Sequence, residues 1–256
     1  MNVNSFIIDI FNIIIKMQNK KVELPLTEDS VFRILGPIMT GPSSSHTAGA
    51  VRIGRSARLL YGKQPMNVEV YFHGSFAETW QGHGSDKAII GGLLGFKTFD
   101  ERIKESYKYA KEIGMNVSFR KINLGRNYHP NSIKIVVKDD DKNKAIEMVA
   151  ESVGGGDIII REIFGYKTEI AGEFVTIILK HEDLLGSLAK ITSVISNFNI
   201  NILTLESKDI PKEHDSLTII EIQQSATEEL KEKLESIKGM KLVRILPKIS
   251  EGEEML

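Results

Sequence analysis

The sequence predicts an α+β protein with two folded parts, a mixed front domain over residues 25–166 and a smaller domain over residues 173–250. In the front part, short segments with apolar residues at every second position alternate with segments of helical spacing. In the last third, the segments follow the order β-α-β-β-α-β, which describes a four-stranded antiparallel sheet with both helices on one face. The hydrophobic content of 41% is that of a globular chain with a real core.

Composition and charge narrow the range of functions. The 256 residues include 26% charged residues and carry a net charge of −1, so there is no general electrostatic case for nucleic acid or an anionic membrane as a partner. The sequence contains no cysteine. A disulfide framework, a catalytic thiol and a cysteine-held metal or iron–sulfur site on this polypeptide are therefore excluded, and a cytoplasmic location is the default expectation.

Residues 1–24 are expected to form an accessory N-terminal extension. Phe6 to Ile15 is strongly apolar, with polar residues on one side at helical spacing, which predicts a short amphipathic helix. It is shorter than the roughly 20 apolar residues that span a bilayer, and it lacks the basic segment and cleavage site of a signal peptide. Residues 1–16 are interpreted as an accessory or artefactual extension before Met17, with a partner-binding helix as the alternative.

The first chemically suggestive stretch is the loop GPSSSHT at residues 41–47, which precedes a predicted helix from Ala48 to Leu60. Unpaired amides and the macrodipole at a helix start favour a carboxylate or phosphate, so this serine loop predicts a site for a small anion. The alternative is a serine-rich N-cap on an ordinary surface helix. Within the helix, Arg52, Arg55 and Arg58 recur at every third residue, which indicates a solvated face or a surface for an acidic partner.

A second motif, GHGSD at residues 82–86, follows a half-buried strand predicted from Met66 to Phe72. The glycines on either side of His83 allow close backbone approach and unusual φ angles, while Ser85 or Asp86 can cap the helix that follows. A lone histidine is more often structural than catalytic. Two histidines, each in a glycine- and serine-rich turn near a predicted helix start, favour a functional site.

The middle of the chain adds a third polar motif. Helices are predicted from Lys87 to Leu94 and from Glu101 to Ile113, and strands from Met115 to Asn123 and from Ser132 to Lys138. The turn YHPN, residues 128–131, lies between these strands and contributes His129 and Asn131. On its own, this turn is explained by the local roles of proline and asparagine. The run from Asp139 to Asp141 predicts the next turn.

Glycines interrupt the apolar segment from Ile146 to Ile163, in the sequence ESVGGGD at residues 151–157. Three glycines within a strand-like run indicate a bulge, or a place where a ligand or another backbone comes close. A flexible linker is the weaker interpretation, because apolar residues resume at once. Phe164 to Glu173 is interpreted as the linker between the two domains.

The last third resembles an ACT domain, a small regulatory module of ferredoxin-like fold that binds amino acids. Strands are predicted over 174–179, 200–206, 217–222 and 241–246, and helices over 187–198 and 226–237. Many ACT domains have Asp-x-Pro-Gly after the first strand, where this chain has Leu185 in place of the proline. The resemblance implies effector binding through Asp183, Gly186 and Asn199. Because ACT domains also pair through their sheets, a purely dimerising role is the alternative.

The motifs GPSSSHT, GHGSD, YHPN and ESVGGGD, followed by an ACT domain, together resemble the β subunit of the iron–sulfur-dependent L-serine dehydratase (L-serine ammonia-lyase) family. The resemblance runs from about Val31 to the C-terminus. Ser85 stands where threonine is often expected, and both side chains carry a hydroxyl. The resemblance implies a lyase that converts L-serine to pyruvate and ammonia with a [4Fe–4S] cluster. The cysteines of that cluster must belong to an α subunit, because this chain has none.

The resemblance also implies roles for the residues of the four motifs. His83 is expected to be the base that takes the Cα proton, and His46 to hold the serine carboxylate and hydroxyl or to orient the leaving group. Asp86 would fix His83 or cap its helix. The remaining substrate-binding candidates are Ser43, Ser44, Ser45, Thr47, Ser85, His129, Asn131, Ser152 and Gly155.

Two other classes of function remain open on the sequence. A stand-alone regulatory protein that senses an amino acid through its ACT domain explains the last third, but it leaves three histidine-bearing turns without a purpose. A zinc hydrolase would use His46, His83 and His129, which lie in separate loops and lack the spacing of an H-x-x-x-H motif.

Overall fold

The computed structural model describes residues 39–139, 144–210 and 214–249. The predictions for the N-terminal extension, including the apolar segment from Phe6 to Ile15, and for Asp140 and Asp141 lie outside the described residues. No helix within the described ranges is long and apolar enough to cross a membrane. Helices and strands occur in both the front part and the last third, which confirms the α+β class.

The front part alternates helices and strands. After a π-helical turn at Ser44–Gly49 come α1 (Ala50–Tyr61), β1 (Asn67–Phe72), α2 (Gly74–His83) and α3 (Ser85–Leu93). A 3₁₀ helix at Glu101–Glu105 leads into α4 (Ser106–Glu112), so the single helix predicted from Glu101 to Ile113 is two helices. α4 is followed by β2 (Asn116–Lys121) and β3 (Ser132–Lys138). The last strands of this part are β4 (Lys144–Gly154), β5 (Asp157–Ile163) and β6 (Tyr166–Ile170).

These strands form one sheet of six in the described part of the chain, in the order β2-β1-β3-β4-β5-β6. β1 and β2 are parallel, and the other neighbouring pairs are antiparallel. The alternation predicted for β1 is confirmed, because Val68, Val70 and Phe72 are buried while the residues between them are partly exposed. These side chains share one core with apolar residues of α1 and α3.

Helices α1 and α3 touch through their backbones at two glycines. A β-carbon added to Gly54 would lie 2.5 Å from the carbonyl oxygen of Ile89, and one added to Gly92 would overlap the carbonyl oxygen of Val51. A larger side chain at either glycine would push these helices apart. The close contact therefore fixes the two helices that follow the serine loop and the second histidine motif.

The glycine run of the fourth motif is the turn of a β-hairpin between β4 and β5. Gly154, Gly155 and Gly156 have positive φ angles of 116°, 60° and 87°, and the register of the two strands shifts between Ser152 and Gly154. The predicted bulge is present, and the Arg52 guanidinium donates to the carbonyl oxygen of Gly156 at 2.7 Å. The linker interpretation of this run is wrong.

Two other predictions for the front part are wrong, and one helix is not predicted at all. The segment before the second motif folds into α2, which the sequence did not predict. The supposed linker after residue 163 contains β6, an edge strand paired with β5. Arg52 does not lie on a solvated face, because it is 5% exposed and pairs with Asp157 at 3.3 Å.

The last third folds as β7 (Val175–Glu182), α5 (Ser187–Asn197), β8 (Ile202–Ile210), β9 (Asp215–Ile222), α6 (Glu228–Glu235) and β10 (Met240–Leu246). Its strands form an antiparallel sheet in the order β10-β7-β9-β8. The predicted β-α-β-β-α-β arrangement is therefore confirmed. Both helices pack on this sheet through a core of their own, which includes Ile191, Ile195, Leu230 and Leu234.

The second sheet separates two cores. Ile177 of β7 belongs to the core under α5 and α6, whereas its neighbour Ile178 belongs to the core of the front part. Arg244 of β10 adds polar contacts, because its guanidinium donates to the carbonyl oxygens of Leu60 and Tyr61, both at 3.0 Å. These oxygens lie at the C-terminal end of α1, so the last third is bonded to the helix that follows the serine loop.

Candidate active site

The serine loop folds into a compact turn whose cap is Ser43. The Ser43 hydroxyl accepts the backbone N–H of His46 at 3.1 Å, and the Ser43 carbonyl accepts the N–H of Thr47 at 2.8 Å. The first two residues of the π-helical turn, Ser44 and Ser45, are half-buried, and α1 begins only after the turn. The loop is therefore a folded element of its own rather than a simple N-cap on α1.

His46 is buried against α2. It is 8% exposed, and its ring centroid lies 4.6 Å from that of Phe76 and 4.8 Å from that of His83. Its Nε2 atom is 3.1 Å from the hydroxyl oxygen of Thr79, and its Nδ1 atom is 3.5 Å from that of Ser43. Burial, followed by the charge of His83, lowers the pKa of His46 below the usual value for histidine. Burial thus favours the neutral form of the His46 imidazole.

His83 is the last residue of α2 and is exposed. Gly84 follows with a φ of 68°, which ends α2 and lets α3 begin at Ser85. A β-carbon added to Gly82 or Gly84 would meet nothing within 4 Å, so there is open space beside the backbone on either side of His83. His46 and His83 thus form a pair with one buried and one exposed ring.

The predicted side-chain cap of α3 is wrong. The N-cap residue is Gly84, and no side chain of the described residues caps this helix. Asp86 instead accepts a hydrogen bond from the hydroxyl of Tyr107 in α4 at 2.7 Å. Burial, followed by the bond to Asp86, raises the pKa of Tyr107. Asp86 therefore ties the second motif to α4, and its proposed contact with His83 stays a prediction.

The YHPN loop contacts both the start of α2 and the fourth motif. The backbone N–H of Ser75 donates to the carbonyl oxygen of Pro130 at 2.8 Å, and a β-carbon added to Gly74 would lie 2.5 Å from the same oxygen. The N–H of Ser152 donates to the carbonyl oxygen of Asn131 at 2.9 Å. Backbone bonds thus hold this loop between α2 and β4.

His129 is an exposed residue of the same loop. Its backbone N–H donates to the Glu151 carboxylate at 2.9 Å, and its Nδ1 accepts the N–H of Asn131 at 3.1 Å. Glu151 is 3% exposed and pairs with Arg161 at 2.7 Å. The Nδ1 lone pair of His129 is therefore used inside the loop, which orients the ring.

The serine loop also touches the fourth motif. A β-carbon added to Gly49, in the π-helical turn, would overlap the hydroxyl of Ser152 in β4. Together with the contact between His46 and His83 and the bonds of the YHPN loop, this brings the four motifs to one region of the front part. Gly155 lies further along the hairpin and is partly exposed.

Three of the motifs each contain a buried hydroxyl without a partner. The side-chain oxygens of Thr47, Ser85 and Ser152 are buried and have no hydrogen-bond partner in the described part of the chain. Buried polar groups are nearly always paired in folded proteins, and an unpaired one costs about 1–3 kcal/mol. All three belong to the predicted substrate-binding set, whereas a further unpaired buried hydroxyl, that of Ser106 at the start of α4, lies outside it.

The predicted effector-binding residues lie in the loops that flank α5. Gly186, with a φ of 81°, precedes the helix, and Asn199, with a φ of 56°, follows it. The backbone N–H of Asp183 donates to the carbonyl oxygen of His214 at 3.1 Å. Leu185, which replaces the expected proline, is fully exposed. The left-handed glycine therefore makes the turn without a proline before it.

The donor set of this chain does not fit an iron–sulfur cluster. Cluster irons are held mainly by cysteine thiolates, and the sequence has no cysteine. Among the residues that the structure describes, no group of three histidine, aspartate or glutamate side chains is placed to hold a metal ion. The histidines of the zinc alternative are not gathered, because His46 contacts His83 while His129 is bonded to Glu151 and Asn131.

The face of α2 that holds His46 is not evident from the sequence. Phe76, Thr79 and His83 recur at helical spacing, and all three contact the His46 ring. This spacing is the signal that could reveal them, but it has meaning only once residues 74–83 are known to be helical. Tyr107 carries no such signal, because only the fold brings it to Asp86.

The fold and the site define a protein in which an α+β unit with paired histidines and buried serines precedes a βαββαβ module. Residues 30–162 match the family model described as serine dehydratase beta chain, and residues 175–239 match that of the ACT domain. The chain therefore belongs to the serine dehydratase beta chain family, as the four motifs predicted, and carries an ACT domain.

Individual relatives agree with this assignment. The chain is 43% identical to a protein of Bacillus subtilis named probable L-serine dehydratase, beta chain, over 81% of this chain and 93% of the relative. It is 41% identical to the L-serine dehydratase, beta chain, of Peptoniphilus asaccharolyticus over 80% of this chain and 92% of the relative. It is 28% identical to an L-serine dehydratase of Haemophilus influenzae over 49% of this chain and 32% of that protein.

Proposed function

We propose that this chain is the β subunit of an L-serine dehydratase and works with a cluster-bearing α subunit to convert L-serine to pyruvate and ammonia. The observation that carries the proposal is the contact between His46 and His83, with ring centroids 4.8 Å apart, in the region where the four family motifs meet. The pair combines a buried imidazole with an exposed one. An exposed imidazole can exchange a proton with a bound substrate near neutral pH.

Deamination of serine begins with removal of the weakly acidic Cα proton. We assign this step to His83, because its imidazole is exposed at the end of α2 with open space beside the flanking glycines. We assign to the buried His46 the orientation of the substrate or of its leaving group. Hydroxide is a poor leaving group, and we assign the assistance for its departure to the partner subunit. The resulting aminoacrylate tautomerises and hydrolyses to pyruvate and ammonia.

The substrate contacts are proposed from the family motifs. The half-buried Ser43, Ser44 and Ser45 hold the substrate carboxylate and hydroxyl, with His129 and Asn131 completing the cage. The buried hydroxyls of Thr47, Ser85 and Ser152 bond to the substrate or to the α subunit once the site is complete. Their lack of a partner among the described residues supports this role, because such a bond removes the penalty of leaving them unpaired.

The partner subunit is proposed from the relatives and from the residue types. This chain covers more than nine tenths of two relatives named beta chain, but only 32% of the Haemophilus influenzae relative. We propose that an α subunit corresponds to the rest of that longer protein. It would carry the cysteines of a [4Fe–4S] cluster, since this chain has none. We place the enzyme in the cytoplasm, a compartment that keeps thiols reduced.

The ACT domain is proposed to have one of two roles. It binds a small effector through the loops that contain Asp183, Gly186 and Asn199, or it pairs with a second ACT domain through its sheet. Equilibrium dialysis with labelled amino acids and sedimentation of the full chain separate the two roles.

The proposed function is tested by anaerobic purification of the full chain together with candidate cysteine-bearing subunits. The complex is analysed for iron and assayed for pyruvate formed from L-serine and for the corresponding product from L-threonine. We expect a stable complex with about four irons and an activity that neither chain has alone. His83→Ala should assemble with the same iron content and lose activity. His214→Ala, at an exposed histidine of the ACT domain, should keep it.

Two results would contradict this proposal. A chain that stays alone, gives no activity with any candidate subunit and binds an amino acid would favour the stand-alone regulatory protein. Stoichiometric zinc in the isolated chain, together with hydrolytic activity, would favour the hydrolase.

A further inference from the structure

The hydroxyl of Thr79 makes two hydrogen bonds but has one proton to give. Its oxygen lies 2.8 Å from the carbonyl oxygen of Ser75, one turn earlier in α2, and 3.1 Å from Nε2 of His46. A carbonyl oxygen can only accept, so the hydroxyl proton goes to Ser75. The hydroxyl oxygen must then accept from His46, which requires the proton of that ring to be on Nε2.

We propose that Thr79 is a positioning residue that holds His46 in the Nε2–H tautomer and leaves the Nδ1 lone pair directed to the Ser43 hydroxyl. The distance from Nδ1 to the Ser43 oxygen is 3.5 Å, and that oxygen already accepts the backbone N–H of His46 at 3.1 Å. The Ser43 proton is therefore available to Nδ1. In this arrangement the buried ring acts as an acceptor toward the serine loop and as a donor only toward Thr79.

The catalytic consequence rests on the proposed function. If His83 takes the Cα proton, it becomes positively charged with its ring centroid 4.8 Å from that of His46. A second positive imidazole at that distance would oppose the charge. The ring of His46 contacts Ser43 from its own turn and Phe76, Thr79 and His83 from α2. Among the described residues, none of these contacts is with a carboxylate. When His46 is neutral and its tautomer is fixed, His83 can become positively charged without repulsion from a second positive ring.

Two features of the same chain serve as references. Thr192 in α5 donates its hydroxyl to the carbonyl oxygen of Leu188 at 2.9 Å, which is the bond that Thr79 makes, but it contacts no histidine in the described part. His181 has the opposite arrangement, because its Nδ1 lies 2.9 Å from the carbonyl oxygen of Glu182 and must donate to it. His46 and His181 are therefore expected to be opposite tautomers in one molecule.

The tautomers can be measured directly in the full chain without the partner subunit. Protein labelled with ¹⁵N-histidine gives separate ring-nitrogen resonances for protonated and unprotonated nitrogens, and a His46→Gln variant assigns the His46 signals. We expect the His46 proton on Nε2 and the His181 proton on Nδ1 in the wild type. Thr79→Ser should keep this pattern, and Thr192→Val should leave it unchanged. Thr79→Val, which has the same shape without the hydroxyl, should convert His46 to a mixture of tautomers.

A wild-type His46 with its proton on Nδ1 would overturn the proposal by itself, whatever the variants do. A Thr79→Val protein that melts like the Thr192→Val control and keeps the wild-type His46 resonances would also overturn it.

Turnover of the reconstituted complex gives an independent measurement. We expect Thr79→Val to lower kcat about 10- to 100-fold, with a smaller effect on KM, as for the loss of a group that orients a catalytic histidine. Thr79→Ser should restore most of the rate, and Thr192→Val should match the wild type. Equal turnover of Thr79→Val and Thr192→Val would contradict the catalytic consequence. A wild-type complex without turnover would contradict the proposed function and leave the tautomer measurement valid.

Discussion

The front part and the ACT domain each bury a histidine next to a threonine, but the two histidines differ in how completely their ring nitrogens are hydrogen-bonded. In the ACT domain, His181 is 3% exposed, and both of its ring nitrogens have partners at 2.9 Å, Glu182 and Thr218. Thr218 is bonded in turn to the Ser207 hydroxyl at 2.8 Å. In the front part, His46 has one close partner, one contact at 3.5 Å and a second histidine against its ring.

Buried hydroxyls also differ between the two parts, being paired in the ACT domain and unpaired in the motifs of the front part. Thr218 is fully paired, whereas Thr47, Ser85 and Ser152 have no partner within the described residues. A network that is satisfied internally stabilises a fold, and one that is left incomplete costs stability unless something else completes it. Burial of a polar residue therefore does not by itself mark a site. An unpaired buried hydroxyl supports one only where it falls in a family motif, because the Ser106 hydroxyl at the start of α4 is also buried without a partner among the described residues and lies outside the motifs.

The largest expected effect is on turnover, and it is confined to the front part. His83→Ala should reduce kcat of the reconstituted enzyme by about 10²- to 10⁴-fold, the usual contribution of a general base. His214→Ala in the ACT domain should remain within about twofold of the wild type, because an exposed side chain outside the four motifs contributes little. Steady-state assays of pyruvate formation measure both. A near-normal rate for His83→Ala would remove its assignment as the base.

The two buried histidines should be similar in stability and different in catalysis. His46→Ala and His181→Ala each remove a buried ring and leave a threonine hydroxyl short of a partner, so each should lower the free energy of unfolding by about 2–3 kcal/mol. Only His46→Ala should also lower turnover at a temperature where both proteins are folded. Urea unfolding and rate measurements on the same samples test this pair. Equal loss of activity in the two variants would contradict the prediction that only His46 contributes to catalysis.

The unpaired and paired hydroxyls should give opposite results on removal. Ser152→Ala deletes an unpartnered oxygen, so stability should be unchanged or rise by up to about 1 kcal/mol, while turnover falls. Thr218→Val deletes a paired hydroxyl and should cost about 1–2 kcal/mol without affecting turnover. Thermal unfolding and pyruvate assays of the two proteins check the prediction. A Ser152→Ala protein that loses as much stability as Thr218→Val would show that the Ser152 hydroxyl has a structural partner.

The smallest expected effect concerns pH. The pKa of His46 is lowered in the folded protein, first by burial and then by His83, so the unfolded chain binds a proton more readily. Stability should therefore fall as the pH decreases below about 6.5, the ordinary value for histidine, and should not change for this reason above it. Urea unfolding at several pH values should show a steeper decline for the wild type than for His46→Gln. Parallel curves for the two proteins would contradict the lowered pKa.

The parts of the fold that the sequence predicts are those with local periodicity. The alternation of Val68, Val70 and Phe72 makes β1 recognisable, and the order of short strands and helices makes the ACT domain recognisable. α2 has weak amphipathic character, because Phe76 and Ala77 are its buried residues and it begins and ends beside glycines. β6 is short and has three consecutive polar residues, Lys167 to Glu169, so it resembles a linker until its pairing with β5 is seen.

The four motifs identify the family and its candidate residues, but not how those residues meet. The contacts of His46 with Thr79 and of Asp86 with Tyr107 join residues 33 and 21 positions apart. The burial of Arg52 depends on a carbonyl oxygen 104 positions away. Such contacts follow from sheet order and helix packing, which no local pattern specifies.

The bonds from Arg244 to the end of α1 give the ACT domain a mechanical connection to the serine loop. α1 has 12 residues, so it is a rod of about 18 Å. One end is held by β10, and the other continues into the turn that carries His46. Because packed helices move as units rather than stretch, any displacement of β10 that preserves these bonds must also displace that turn. A ligand that shifted β10 would thus move the turn that carries His46, because α1 transmits the displacement.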